Sequence, residues 1–399
     1  MSTTTTTTAP PRTTQLRLSS GNGPVTRTVL TTPVREAKPE EVPIIDISPI
    51  FSPSLAARQA VADQIRAAAT NNGFFYIVNH QIPTTTTAAA HDAALAFFRQ
   101  PAAHKEPVSI THSTYQYGWK PPQTQRVNPF ESIDHRESFS WRYDPVYDPS
   151  VSSPSSIPAH IRQHIRHDAN GFPFSAVPPP FKAAVIPCWQ AVLSLGRALL
   201  HSFALALGLD ETTLDAKFTN PDLGMALNYY APLPSSSATA EDDESLVSIG
   251  SHTDFQLFTL LWQDKVGGLQ VLSREGQWLH AAPMKGAFVV NFGDYMQRIT
   301  NDRFASTVHR VRNVSGEERL SMAFFFGFNL DETCDVLDSC VGEGESKRYE
   351  PVACHEWTER RVRAMHDVRG RMGGEGKSIH PRAIGSFCVP STLYLVVTS

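Results

Sequence analysis

Cysteine is scarce: the chain has 399 residues and only five cysteines (188, 334, 340, 354 and 388), with no Cys-x-x-Cys pair. An odd, scattered set excludes a disulfide framework and a zinc knuckle and is what reduced intracellular thiols look like. A surplus of one charge is also missing. Lys plus Arg number 35 and Asp plus Glu 39, a formal charge of −4, which gives no electrostatic case for nucleic acid or an anionic membrane. No apolar run reaches the ~18 residues a spanning helix needs. The closest, AVLSLGRALLHSFALALGL at 191–209, contains Arg197 and His201, and its apolar positions recur at helical spacing, so it reads as a core helix. GxGxxG, P-loop and nucleophile-elbow patterns are absent.

Acid is missing from the first 35 residues, which hold Arg12, Arg17, Arg27 and Arg35 and begin MSTTTTTTAP. Pro10, Pro11 and Gly21 interrupt any amphipathic period, so a disordered tail in a cytoplasmic protein is the expectation. A mitochondrial transit peptide is the alternative.

Order is expected to begin at VPIIDISPIF (42–51). Helices are expected over 54–71, 85–99, 181–207 and 211–218, with a buried strand at FFYIVNH (74–80). Residues 107–180 are irregular and rich in aromatics, Pro and Ser. From 222 onward short strands alternate with Gly and Pro turns, the texture of a sandwich or barrel. PSSSATAEDDES (234–245) reads as a surface loop and 354–368 as a last helix. His160, His164 and His167 read as a solvated basic helix, since Arg162 and Arg166 interleave and no acid stands near.

The chemistry-bearing residues fall on the strands. In a strand, residues i and i+2 share a face, so His252 and Asp254 in SIGSHTDFQLFTLL aim at one point and Thr253 turns away. His-x-Asp alone is weak. A second histidine, His309 in STVHRV, follows Asp254 by 55 residues and completes two imidazoles and a carboxylate, a set suited to non-haem Fe(II). Arg319 and Ser321 share a face of the next strand, where a guanidinium fork and a hydroxyl can seat an organic acid. Asn228 and Tyr230 share a face of LNYY. Ala323 and Phe325 continue the face of Arg319. Tyr115, Tyr117, Trp119, Phe139 and Phe325 are candidate lining for an apolar pocket, with Arg126 or Arg142 to meet an acidic group.

In order along the chain, N-x-Y, H-x-D, GGLQV, VNFGD and H…R-x-S resemble the Fe(II)/2-oxoglutarate-dependent dioxygenases, in the branch with isopenicillin N synthase and the plant flavonoid oxygenases. VPIIDIS, NNGFFYIVNH, AFFRQPAAHKEPV and RESFSWRYDP resemble its N-terminal and middle regions, with Gln81 where that branch usually has glycine. The resemblance implies a mainly β fold with flanking helices: a double-stranded β-helix (jelly roll) core and an α-helical N-terminal region. It implies a division into a Thr/Pro-rich tail (1–40), an N-terminal region (41–220), the jelly-roll core (221–330) and a C-terminal helix and tail (331–399). It implies His252, Asp254 and His309 as iron ligands, and Arg319 and Ser321 on the distal carboxylate of 2-oxoglutarate with Tyr230 and Asn228 nearby. Phe325 would then lie near a small-molecule substrate. The implied activity is hydroxylation, desaturation or cyclisation of a small molecule of specialised metabolism by a monomeric enzyme. O2 is consumed and 2-oxoglutarate is converted to succinate and CO2. An oxidase that uses no 2-oxoglutarate and a non-catalytic jelly-roll binding protein are the alternatives.

Overall fold

The computed structural model describes residues 12–19, 25–232 and 247–371. The 234–245 loop, residues 1–11 and the apolar end at 386–399 lie outside the described residues. The strands are β1 (Thr13–Leu18), β2 (Val25–Leu30), β3 (Arg35–Glu36), β4 (Ile44–Asp46), β5 (Phe74–Val78), β6 (Gly118–Lys120), β7 (Glu137–Arg142), β8 (Leu223–Tyr230), β9 (Ile249–His252), β10 (Phe258–Gln263), β11 (Leu269–Leu272), β12 (Trp278–His280), β13 (Phe288–Phe292), β14 (His309–Val311) and β15 (Arg319–Phe326). The longer helices are α1 (Leu55–Asn71), α2 (Thr84–Phe98), α3 (Pro179–Ala206) and α4 (Cys354–Arg371).

Two sheets make the core. The major sheet runs β4-β5-β13-β10-β15-β8-β7-β6 and the minor sheet β3-β12-β11-β14-β9. Period-two alternation gives the major sheet two unlike faces. Phe75, Phe139, Leu227, Phe258, Val290 and Phe324 point outward into one large apolar cluster shared with the helices. Phe74, Tyr76, Tyr230 and Val289 point inward toward Ile249, Leu269, Val271 and Val311 of the minor sheet. This is the jelly roll backed by helices that the family resemblance implied, and it fits the sandwich or barrel expected from the strand spacing.

The helices form for local reasons and are retained by that outer face. Ser54 caps α1 by accepting the Ala57 N–H, and Val61, Ala62, Ile65, Ala68 and Ala69 form its buried stripe. Helix α3 is apolar nearly all round, yet its inner residues, Trp189, Val192, Leu199 and Phe203 among them, are packed in the cluster. It is therefore a core helix. The expected 211–218 helix shortens to a 3₁₀ turn at Asp215–Phe218. Likewise, the helix proposed around His160 is a four-residue turn, Ala159–Arg162.

The disordered tail expected over 1–40 is corrected in part. Strands β1 and β2 pair antiparallel from Thr13↔Leu30 to Leu18↔Val25, and β3 adds to β12 in parallel. Leu18 and Val29 bury against Leu272, Trp278 and Val308. The outer face of the minor sheet carries apolar side chains, Leu272 and Trp278 among them, and β-branched Thr and Val suit a hairpin that covers them. The four described cysteines are buried and unpaired.

Gln81 takes φ 63°, the left-handed conformation that glycine adopts freely. Its side chain is exposed. Gln81→Gly is expected to raise stability by about 0.5–1 kcal/mol, relief of left-handed strain less the added chain entropy. The check is a higher urea midpoint at unchanged slope.

Candidate metal centre

Strand register builds this site. Strands β9 and β14 pair so that His252 and His309 stand directly opposite, with ring centroids 4.3 Å apart. Asp254 lies beyond the end of β9, so its approach comes from the turn after His252 and not from strand parity. Its Oδ1 is 3.7 Å from His252 Nε2 and 3.8 Å from His309 Nε2. Among the described residues, these three form the one group of His, Cys, Asp or Glu whose ligand atoms all lie within 4.8 Å of each other.

The hydrogen bonds set the tautomers. His252 Nδ1 lies 2.7 Å from the Gly250 carbonyl, and His309 Nδ1 lies 3.1 Å from the Thr307 carbonyl. A carbonyl only accepts, so both Nδ1 atoms carry a proton, and both Nε2 atoms face Asp254 as the ligand atoms. Burial, then the His309 imidazole, hold His252 far below its ordinary pKa and so neutral. Burial opposes the Asp254 charge, but the two imidazoles, Asn291 and Thr259 outweigh it and keep the carboxyl below its usual range. A neutral imidazole at His252 and a carboxylate at Asp254 are protonation states a divalent cation requires.

Oδ2 of Asp254 accepts from Asn291 Nδ2 at 2.7 Å and Thr259 Oγ1 at 2.5 Å. Both come from the major sheet, where Thr259 and Asn291 are register partners. Phe74 sets its ring edge against His309 at 5.3 Å. Thr253 turns away from this point, as expected, but by the turn after β9 and not by strand parity, and its hydroxyl donates to Asp294 Oδ2 at 3.2 Å. Asp294 also pairs with the buried Arg361 of α4 at 3.0 Å.

On the inward face that also carries Thr259 and Asn291 lies a seat for an anion. Among the described residues, the Arg319 side chain, 0% exposed, has hydrogen bonds only to Ser321 Oγ and Gln263 Oε1, each 3.2 Å away, and stacks on Tyr230 at 4.8 Å. Its Nε and the Tyr230 hydroxyl are buried without partners among those residues. A buried cation lacking an anion costs several kcal/mol, about 3–5 when a partner is removed. A carboxylate reaching Arg319, Ser321 and Tyr230 removes that cost, so the donor set fits a dicarboxylic 2-oxo acid that also reaches the triad. Asn228 faces the same way, opposite Ser321, but its Oδ1 is taken by Arg136.

The pocket lining expected from the sequence needs correction. Phe325 faces inward, opposite Thr259, and is part exposed. Phe139 is fully buried on the other face, against Phe97, Phe174 and Phe181. Trp119 shares that face and donates to Glu137 at 2.6 Å. Tyr117 stacks on Tyr115 and donates to the Arg166 carbonyl at 3.0 Å, outside the site. Arg126 is half-buried in the loop before β7 and makes no hydrogen bond to the site among the described residues, whereas Arg136, ten residues on, donates to Asn228. Strands read as apolar runs drew attention to the helix-facing side chains, because the pocket side is built from smaller and polar residues. Arg136, Thr259, Gln263 and Asn291 were legible only by extending period-two alternation across each strand and knowing its register.

Family models match two stretches of the chain: the 2OG-Fe(II) oxygenase superfamily over residues 221–328, and the non-haem dioxygenase N-terminal region, described from morphine synthesis, over 42–160. A 2-oxoglutarate-Fe(II) type oxidoreductase ppzC of Metarhizium majus is 50% identical over 370 residues, 92% of this chain and 99% of that protein. The hxnY oxidoreductase of the same type from Emericella nidulans is 33% identical over 80% of this chain and 88% of its own. Among solved structures, full-length Neurospora crassa T7H in complex with alpha-KG superposes with a TM-score of 0.67. It is 25% identical, over 81% of this chain and 96% of its own.

Asp254→Ala is expected to weaken Fe(II) binding by more than ~100-fold, and Asn291→Ala by ~10–100-fold through loss of ligand orientation. Thr253→Ser, which keeps the bond to Asp294, should leave it within a few-fold. Anaerobic titration with Fe(II) gives the comparison, and equal affinities in the Asp254 and Thr253 variants would sink the assignment.

Proposed function

Since this chain belongs to the 2-oxoglutarate-Fe(II) oxygenase superfamily, we propose that His252, Asp254 and His309 hold its Fe(II) and that Arg319, Ser321 and Tyr230 hold its 2-oxoglutarate. It is a non-haem Fe(II)- and 2-oxoglutarate-dependent dioxygenase acting on a small molecule, with O2 as the second co-substrate. One observation carries the residue assignment. Among the described residues, a fully buried arginine with an unpartnered Nε stands beside an unpartnered buried tyrosine hydroxyl, on the face that also carries Thr259 and Asn291, which orient Asp254.

The iron supplies oxygen activation coupled to conversion of 2-oxoglutarate to succinate and CO2. The chain's own residues supply geometry. The two protonated Nδ1 atoms fix the imidazole planes, and Asn291 with Thr259 fixes the carboxylate. Arg319 sets the direction of the 2-oxo acid by pairing with its far end, and the apolar inner cluster excludes water. The fungal relatives named as 2-oxoglutarate-Fe(II) type oxidoreductases support an oxidative reaction; we place it in specialised metabolism, with hydroxylation, desaturation or ring closure as the outcome. We place the enzyme in the cytoplasm as a monomer; light scattering and a fluorescent fusion test those two points.

The deciding experiment loads the protein anaerobically with Fe(II), then supplies O2 and 2-oxo-[1-14C]glutarate. Labelled CO2 that requires His252 and His309 is expected. Oxygen uptake without labelled CO2 points to the oxidase alternative, and no iron uptake ends both enzymatic readings. Arg319→Met should raise the KM for 2-oxoglutarate by ~10–100-fold, the worth of a charge-assisted hydrogen bond.

A further inference from the structure

Register aligns the inward side chains of the major sheet into lateral rows. One row is Lys120, Ser138, Asn228, Ser321 and Gln263, and the next is Gly118, Ser140, Ala226, Ala323 and Leu261. A third is Arg142, Gly224, Phe325, Thr259 and Asn291. From β6 to β15 the middle of this surface is Gly, Ser and Ala. Ala226 and Ser140 are part exposed although their strands lie inside the sheet, so open space stands over them. That space is bordered by Phe325 and the triad on one side and by three cations on the other.

The cations are not equivalent. Arg142 is held by both Asp222 oxygens at 2.7 Å. Arg136, with a side chain 10% exposed, is shared between Asn228 and Asp134, the latter at 3.4 Å, and its Nε is buried without a partner. Lys120 has no hydrogen bond or ion pair among the described residues, although it is only part exposed. Burial, then Arg136 and Arg142, lower its ammonium to about 8. Two of the three charges thus have carboxylates and one lacks any, at the open end of the pocket.

We propose that the substrate is a small organic acid whose carboxylate is bound by Lys120, with Arg136 alongside, while its carbon frame lies over Ala226 and Ala323 toward Phe325. This deepens the oxygenase reading and rests on it. One unpaired positive charge matches one carboxylate. Asp222 and Asp134 already answer the arginines, so a dianion such as a phosphate monoester would bring more charge than the pocket balances. Lys120 is here a specificity-determining residue, distinct from the Arg319 seat three strands away in the sheet order, ~14 Å at ordinary strand spacing.

The test uses full-length protein loaded anaerobically with Fe(II) and 2-oxoglutarate. It is titrated with aliphatic, aromatic and amino acids, each beside its own carboxamide, and with a phosphate monoester of similar size. Binding is read by calorimetry and by perturbation of the visible band of the ferrous 2-oxo acid complex. Acids are expected to bind at least ~10-fold more tightly than their amides. Lys120→Met should remove that preference and leave the weak amide affinity unchanged, while Lys120→Arg should restore most of it. For any acid that is turned over, Lys120→Met should raise KM far more than it lowers kcat. Amides binding as well as acids, no acid binding, the phosphate ester binding best, or an undiminished preference in Lys120→Met would each overturn the proposal. Absence of the visible band in the wild-type protein is a different result: it defeats the oxygenase reading itself.

Discussion

Everything at this site hangs on one carboxylate that serves two sheets. Asp254 follows the edge strand of the minor sheet, and one of its oxygens faces the two imidazoles. Its other oxygen is held by Asn291 and Thr259 of the major sheet. The three ligand atoms keep their spacing only while the two sheets keep theirs, and face-to-face sheets hold ~10 Å because side chains fill the gap. The inner apolar cluster does this filling, and the helices press on the outside. Behind the ligands, Thr253, Asp294 and Arg361 tie the turn to the C-terminal helix. A distant helix thereby reaches the metal position through two polar contacts.

The second organising feature is charge placed where water is scarce. The inward face carries Arg319 at one end and Lys120, Arg136 and Arg142 at the other, with small side chains between. Folding tolerates such cations only if anions answer them. Asp222 and Asp134 answer two. Arg319 and Lys120 lack protein carboxylates among the described residues, and the oxygenase reading gives one to the co-substrate and, by our proposal, the other to the substrate. The same electrostatic shortfall that costs the empty fold stability thereby becomes affinity for ligands of the right charge.

Much of this was legible along the chain. Short strands between Gly and Pro turns pointed to the β core, helical periodicity to the long helix that backs it, and H-x-D, His309 and Arg-x-Ser, in the order the dioxygenases show, to the candidate site. The misreadings are instructive. Alternation in ESFSWR shows that Phe139 and Trp141 oppose Ser138 and Ser140, but not which set faces the pocket. Apolar residues look like pocket lining when read alone; here the helices took them and left the serines to the cavity. Residues 13–30 looked like part of a tail because the surface they cover, around Leu272 and Trp278, lies about 250 residues away in sequence.

What the sequence determined by itself is the set of groups: two imidazoles, a carboxylate, a guanidinium with its serine, and strands whose period sorts side chains into two faces. What only the tertiary structure decided is which face is inside and which strand lies beside which. Register put His309 opposite His252 and Lys120 in line with Asn228. The reason is physical: side-chain period is a local property of one strand, whereas pairing and facing are fixed by long-range burial that no short stretch of sequence records.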